Sequence, residues 1–229
     1  MYLTEGVSMS TASTIKSLAA YDLIRDMILS GEALPGTRLV LVDLEKKLGV
    51  GRGPIRDALM RLDKSGLVQN IPYKGAIVMM PPSSKEIEHI FNLRIQVECA
   101  LAREAMQQAT AEDMDRLEQL AGDLAGDLAD TRDADFFFHK DRDFHLQLYS
   151  LSRMHHLLAV DSHLLDYVEG FLNTRRYSPE DISLFIQQHK DILTAMREKD
   201  EEKLMEAMRR NILVGLELMQ DEMKRLKRH

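Results

Sequence analysis

The stretch Gly49–Lys64, GVGRGPIRDALMRLDK, decides how the rest of the chain reads. Ile55, Ala58, Leu59 and Leu62 recur at helical spacing, which gathers them into one apolar stripe, while Arg52 and Arg56 lie one turn apart off that stripe. The spacing therefore predicts a short helix with a dry face and a basic face. Gly51 stands at its N-cap, Pro54 in its first turn, where a missing N–H costs nothing, and Gly66 past its far end. A helix of this kind, preceded by another short helix and a Gly-containing turn, is what a helix-turn-helix presents to a DNA major groove. An ordinary amphipathic helix with a solvated charged face has the same spacing, and the stretch alone leaves both readings open.

Working outward, Val42–Leu48 reads as the preceding helix, closed by Gly49, and Leu39–Leu41 as a short extended segment after the Pro35-Gly36 turn. Further upstream Leu18, Tyr21, Ile24, Ile28 and Leu29 form a stripe on a helix starting near Thr14, with Asp22 and Arg25 outside it. Residues 1–13 show no periodicity and read as a disordered arm. Downstream, Leu67–Ile71 and Ala76–Met80 flank the turn sequence Pro72-Tyr73-Lys74-Gly75, which predicts a two-stranded hairpin with Lys74 at its tip. Three helices and a hairpin over residues 14–80 is the order of a winged helix-turn-helix.

Composition sets the wider bounds. At 229 residues, 45% hydrophobic and 29% charged, the chain is an ordinary globular protein with room for two cores. It contains no apolar run long enough to span a membrane and no signal-peptide pattern, so the expected location is cytoplasmic, with no membrane partner. Cys99, the single cysteine, excludes internal disulfides and thiolate zinc clusters. The net charge of −7 conceals a split: residues 1–80 carry 10 Lys and Arg against 8 Asp and Glu, the remainder 20 against 29. A mildly basic front unit on an acidic body is compatible with DNA contact through one face.

Residues 19–80 resemble the N-terminal domain of GntR-family bacterial transcription regulators. The residues that carry the likeness are Ile28-Leu29-Ser30-Gly31, Leu34-Pro35-Gly36-Thr37-Arg38-Leu39, Leu44, Leu48-Gly49-Val50, Arg52, Gly53-Pro54-Ile55-Arg56-Asp57-Ala58-Leu59, Arg61-Leu62, Gly66-Leu67-Val68 and Lys74-Gly75-Ala76. The resemblance implies a double-stranded DNA operator as partner, contacted by Arg52 and Arg56 and by a wing at Lys74-Gly75. This chain departs from the pattern at Gly51 and Gly53, where relatives usually carry hydroxyl residues, and at Leu41 and Val42, where they usually carry an acidic residue and an Arg. The operator sequence is expected to differ accordingly.

Pro81-Pro82-Ser83-Ser84 reads as a linker over 81–84, and from there only helical periods appear, over about 84–108, 111–130, 134–151, 154–176, 179–198 and 200–227. Six helices on short loops predict an antiparallel bundle, making the chain mainly α. Several of its apolar stripes carry polar residues. Asp141 and His145 share the stripe Phe137, Phe138, Asp141, Phe144, His145, Leu148; His189 sits between Phe185 and Ile192; Asn211 lies mid-stripe in the last helix. Unpartnered burial of such groups costs several kcal/mol, so they should converge on one another or on something bound. Asp141, His145 and His189 make a plausible three-ligand metal site; a satisfied hydrogen-bonded cluster is the other reading, and spacing leaves both open. His155, His156 and His163 read as surface or interface residues.

Residues 85–226 in turn resemble the helical FCD effector domain found in the FadR-type branch of that family, so 85–229 is expected to bind an effector and to form a homodimer. The signature Asp141-Arg142-Asp143-Phe144-His145 and His189 in Gln188-His189-Lys190-Asp191-Ile192-Leu193 match, and the family's third His falls at Asn211. The resemblance implies a divalent metal ion (zinc, nickel or manganese) with Asn211 weakening the site. Arg94 and Glu98, one turn apart on an apolar stripe, read either as an internal ion pair or as residues lining the effector pocket; Arg175 is a further candidate to grip the carboxylate of a small organic-acid effector. The expectation is a ligand-responsive transcription regulator. A metal-dependent helical-bundle enzyme is the alternative, opposed by a single Glu86-x-x-His89 where a di-iron bundle needs two such motifs, and by the lack of a nucleophile–base pair or phosphate-binding glycine loop.

Overall fold

The computed structural model describes residues 5–131, 134–172 and 178–226, and the chain divides into two compact units, one of Met1–Pro81 with Arg225–His229 and the other of Pro82–Lys224. The first unit contains α1 (Glu5–Leu29), β1 (Arg38–Leu39), α2 (Leu41–Leu48), α3 (Arg52–Lys64), β2 (Val68–Ile71) and β3 (Gly75–Val78). Its core is the stripe of α3, with Ile55, Ala58, Leu59 and Leu62 all buried, packed on Ala20, Tyr21 and Ile24 of α1 and on the sheet residues Leu39, Val68, Ala76 and Val78. The winged arrangement follows from two turns that need left-handed backbone: Gly49 (φ 65°) stops α2 by donating to the Glu45 carbonyl, and Gly66 (φ 70°) follows α3, which is capped at Ser65 rather than at Gly66 itself.

Four expectations are corrected here. Residues 5–13 are helical, so α1 begins at Glu5 and not near Thr14; residues 1–4 lie outside the described part. The buried side of α1 takes Ser17 and Arg25, not Leu18, which is 39% exposed. Arg25 is tolerated inside because Asp22 lies 3.3 Å away and the Tyr21 ring 5.5 Å from the guanidinium carbon. Leu41 opens α2 instead of ending the extended segment. The hairpin, finally, is part of a three-stranded antiparallel sheet of order β1-β3-β2, in which Leu39 pairs Ala76 and Asn70 also pairs Ala76 from the other side.

Gly75 makes this sheet possible. It has φ +101°, and a Cβ there would lie 1.9 Å from the Leu39 carbonyl oxygen. Gly75→Ala is expected to lower the stability of the winged unit by about 2 kcal/mol or more, through backbone strain and loss of the β1 pairing. A denaturant midpoint unchanged from wild type would contradict the packing of β1 on β3.

The second unit is all helix: α4 (Ser84–Gln108), α5 (Ala111–Thr131), α6 (Ala134–Ser150), α7 (His155–Leu172), α8 (Pro179–Glu198) and α9 (Glu201–Leu226). Ser83 caps α4, accepting from the Glu86 N–H, and Ser178 with Asp181 forms a capping box on α8. Helix α4 packs on α6 and α7, and α5 on α6 and α8. α9 is tied in by polar bonds, Arg103 to Glu201, Arg210 to Asp191 and Asn211 to Gln188, and by Gly215, whose Cβ position lies 3.3 Å from the Phe91 ring. The helix expected over 154–176 runs from His155 to Leu172; residues 173–177, with Arg175, and the side chains of Phe137 and Phe138 lie outside the described part.

Candidate functional site

Two sets of functional residues stand on these units. In the first unit Arg52 and Arg56 are exposed on α3, off its buried stripe, and Arg52 is 54% exposed at its side chain. Gly51 and Gly53 flank it; neither has positive φ, and a Cβ at either would meet nothing within 4 Å. The fold therefore does not require glycine at these positions, and their bareness opens the start of α3 to close approach from outside. On the wing, Lys74 is exposed and Tyr73 is 90% exposed with φ 64°. Gly75, expected among the DNA-contacting residues, is buried under Leu39 and serves the turn instead. Lys74.. Gly75 thus splits into an exposed cation and a structural glycine.

In the second unit the inward polar residues do converge. Asp141, His145 and His189 each offer a ligand atom within 4.8 Å of the others. The i, i+4 spacing on α6 stacks Asp141 under His145, and α8 brings His189 across, with Nε2 at 3.2 Å from Asp141 Oδ1; His145 Nε2 lies 3.8 Å from the same oxygen. Both histidines are buried, at 3% and 1% exposure.

The outer bonds fix which nitrogen of each ring faces inward. His189 Nδ1 donates to the Phe185 carbonyl at 2.8 Å, so it is Nε2 that faces Asp141. The Tyr149 hydroxyl donates to Glu98 Oε2 at 2.6 Å, which leaves its oxygen to accept from His145 Nδ1 at 3.1 Å and again turns Nε2 inward. Asp141 Oδ1 and His189 Nε2 accordingly sit buried with no hydrogen-bond partner although they face each other. Two such atoms at 3.2 Å need a proton or a cation between them. Burial pushes the Asp141 carboxyl up, but His145 and His189, with Arg94 behind, outweigh it and hold it below its usual value; burial pushes His145 down despite Asp141. An ionised carboxylate and a neutral imidazole are the ligand-competent forms, and one carboxylate with two imidazoles suits the borderline divalent ions.

A small cavity of about 50 Å³ opens beside the cluster. Arg94, Asp141, Arg142, His145 and Asn211 give it polar walls, and residues such as Leu165, Val168 and Phe185 an apolar one. Asn211 donates from Nδ2 to Gln188 Oε1 at 3.2 Å, leaving its carbonyl oxygen as the atom available to a cation. Arg94 forms the internal ion pair, through Nε with Glu98 Oε1 at 2.6 Å, and also lines the cavity. Glu98 does not join it as an effector contact. It is 0% exposed, with one oxygen on Arg94 and the other on Tyr149, so it supports the site from behind.

Spacing alone missed three participants. Tyr149 lies four residues past His145 on the same stripe and reads as a core aromatic; Asp161 falls one turn before Leu165 on the inner side of α7; and Glu45 of α2 bonds Arg52 across the turn. Asp161 is the most unusual of them, fully buried with neither oxygen hydrogen-bonded, and burial, reinforced by the charge of Glu98, pushes its carboxyl up to about 8.

Comparison with known proteins places this geometry. Residues 16–78 match the model for bacterial regulatory proteins of the gntR family, and residues 89–213 match the FCD domain. The HTH-type transcriptional repressor RspR of Escherichia coli is 26% identical over 84% of this chain and 83% of its own length; the Uxu operon regulator of Haemophilus influenzae is 26% identical over 89% and 80%. The solved structure of E. coli McbR/YncC, 22% identical, covers 93% of this chain and 97% of its own with a TM-score of 0.61, which speaks for the fold. These matches point to a regulator and away from the helical-bundle enzyme. A winged helix-turn-helix followed by an all-helical domain with an inward Asp-His-His cluster is thus the build of a GntR-family transcriptional regulator with an FCD domain, and the chain belongs to that family.

Proposed function

We propose that this regulator binds a DNA operator through Arg52, Arg56 and Lys74 and holds a divalent metal ion on Asp141, His145 and His189, with the Asn211 carbonyl as a further ligand. The carrying observation is the convergence of both Nε2 atoms on one buried carboxylate oxygen, at 3.2 and 3.8 Å, with Nδ1 of each ring already engaged elsewhere, the geometry a cation cradle needs. A small organic acid entering the cavity meets that cation and Arg94, the charged groups best suited to a carboxylate. When bound, the metal supplies a Lewis-acidic anchor for the effector carboxylate. The chain acts as a cytoplasmic homodimer, so two winged units read two half-sites, and the effector biases which placement of them prevails.

The test has three arms on the full-length protein. Mass-spectrometric metal analysis after purification without chelator or His tag should find near-stoichiometric metal in wild type and about 100-fold weaker retention in His189→Ala; metal-free wild type after reconstitution sinks the cradle. Small organic acids should raise the melting temperature only in the metal-loaded protein, because only a ligand that binds the folded state shifts it. Selection from random-sequence duplexes should enrich a paired half-site, and Arg52→Ala and Arg56→Ala should each lose base preference within it.

A further inference from the structure

Arg52 does not stand alone at the start of α3. Its Nε donates to Glu45 Oε2 of α2 at 2.7 Å. The pair is exposed, 54% at Arg52 and 38% at Glu45, so it contributes little to stability. Its geometry is more telling than its strength. The bond takes Nε and leaves the terminal amines Nη1 and Nη2, the pair that matches O6 and N7 on the major-groove edge of guanine. The residues beside Arg52, Gly51 and Gly53, have no side chains to brace a long flexible guanidinium, and position 42 of α2 holds Val. The carboxylate of Glu45 supplies the brace that the recognition helix lacks.

We propose that Glu45 is a positioning residue that determines sequence specificity: it holds Arg52 so that its terminal amines meet a guanine, and its negative charge opposes use of the same arginine on phosphate alone. This rests on the reading of Arg52 as a DNA-contacting residue. The two effects have opposite signs on two observables. Glu45 lowers non-specific affinity, because it offsets one cation near the phosphates, and raises discrimination, because an ordered guanidinium reads a base edge that a mobile one does not. An ion pair that merely joined α2 to α3 could change non-specific affinity through its charge but would leave discrimination unmoved.

The experiment selects from a pool of random-sequence duplexes with full-length wild type, Glu45→Ala, Glu45→Gln, Arg52→Ala and Arg56→Ala, and measures non-specific affinity on a fixed unrelated duplex across salt. Circular dichroism melts confirm that the variants fold. Glu45→Ala and Arg52→Ala should lose guanine preference at the same half-site position, a discrimination of roughly 5- to 150-fold in wild type, while Arg56→Ala loses a different one. Glu45→Ala should bind the unrelated duplex more tightly, with a salt slope steeper by about 0.9 per protomer. Glu45→Gln, which still offers an acceptor to Nε, should keep most of the preference while sharing the gain in non-specific affinity. A wild-type preference profile in Glu45→Ala, with Arg52→Ala losing its position, overturns the role of Glu45 and leaves that of Arg52. An unchanged profile in Arg52→Ala overturns both.

Discussion

Glu98→Gln is expected to destabilise the helical unit by about 3–5 kcal/mol, the usual cost of leaving one member of a buried ion pair uncompensated. The wild-type carboxylate is fully buried, neutralises Arg94 at 7% exposure and accepts the Tyr149 hydroxyl. An amide offers one acceptor where two donors converge, turns its own N–H₂ toward one of them, and removes the charge that keeps the guanidinium inside. Urea unfolding followed by circular dichroism measures the loss. A double replacement, Arg94→Met with Glu98→Leu, should cost far less than Glu98→Gln alone, since no buried charge is left over. A loss in Glu98→Gln below about 1 kcal/mol would mean that Arg94 finds other compensation.

Asp161 is expected to behave in the opposite way: removing it should stabilise the protein, and more so at high pH. Burial and the nearby Glu98 push its carboxyl from the ordinary 3.8 to about 8, against the weaker pull of Arg94 and Arg142. Between those two values the folded chain keeps a proton that the unfolded chain gives up. Stability is therefore unaffected by Asp161 below about pH 4, falls by up to about 1.4 kcal/mol per pH unit as pH rises, and levels off above about pH 8. Asp161→Leu, or Asp161→Asn where the isosteric amide is preferred, should show a gain of a few kcal/mol at pH 8 that shrinks toward pH 5. Parallel urea titrations at the two pH values check it, and a difference between wild type and variant that does not change with pH would refute it.

The parts of this molecule legible in its sequence are those in which one element carries its own pattern. The α3 stripe, the Asp141–His145 spacing and the inward His189 each need only a helical period, and each lies where that period puts it. The extended segment at Leu39 was legible but its place in the sheet was not, because two residues are too few to alternate and the pairing with β3 depends on Gly75 lying against Leu39. Helix over 5–13 escaped because no apolar period marks it. Arg25 went to the wrong face because Asp22 and Tyr21 make its burial tolerable, a local compensation that hydropathy does not register. The Glu98 bond to Tyr149 and the Glu45 bond to Arg52 went unread for a common reason: each joins residues on two different helices. Patterns along a chain reveal which face a residue occupies, and only packing reveals whom it meets there.

The bond between Tyr149 and Glu98 also gives the protein an optical gauge. The chain has no tryptophan, so its near-ultraviolet absorbance comes mainly from six tyrosines. Burial first, and then the charge of Glu98, push the Tyr149 phenol well above its ordinary value of 10. In alkali it should stay a protonated phenol until the helices around it part, and its delayed red-shift on ionising would then time the opening of the helical unit without any added dye or label.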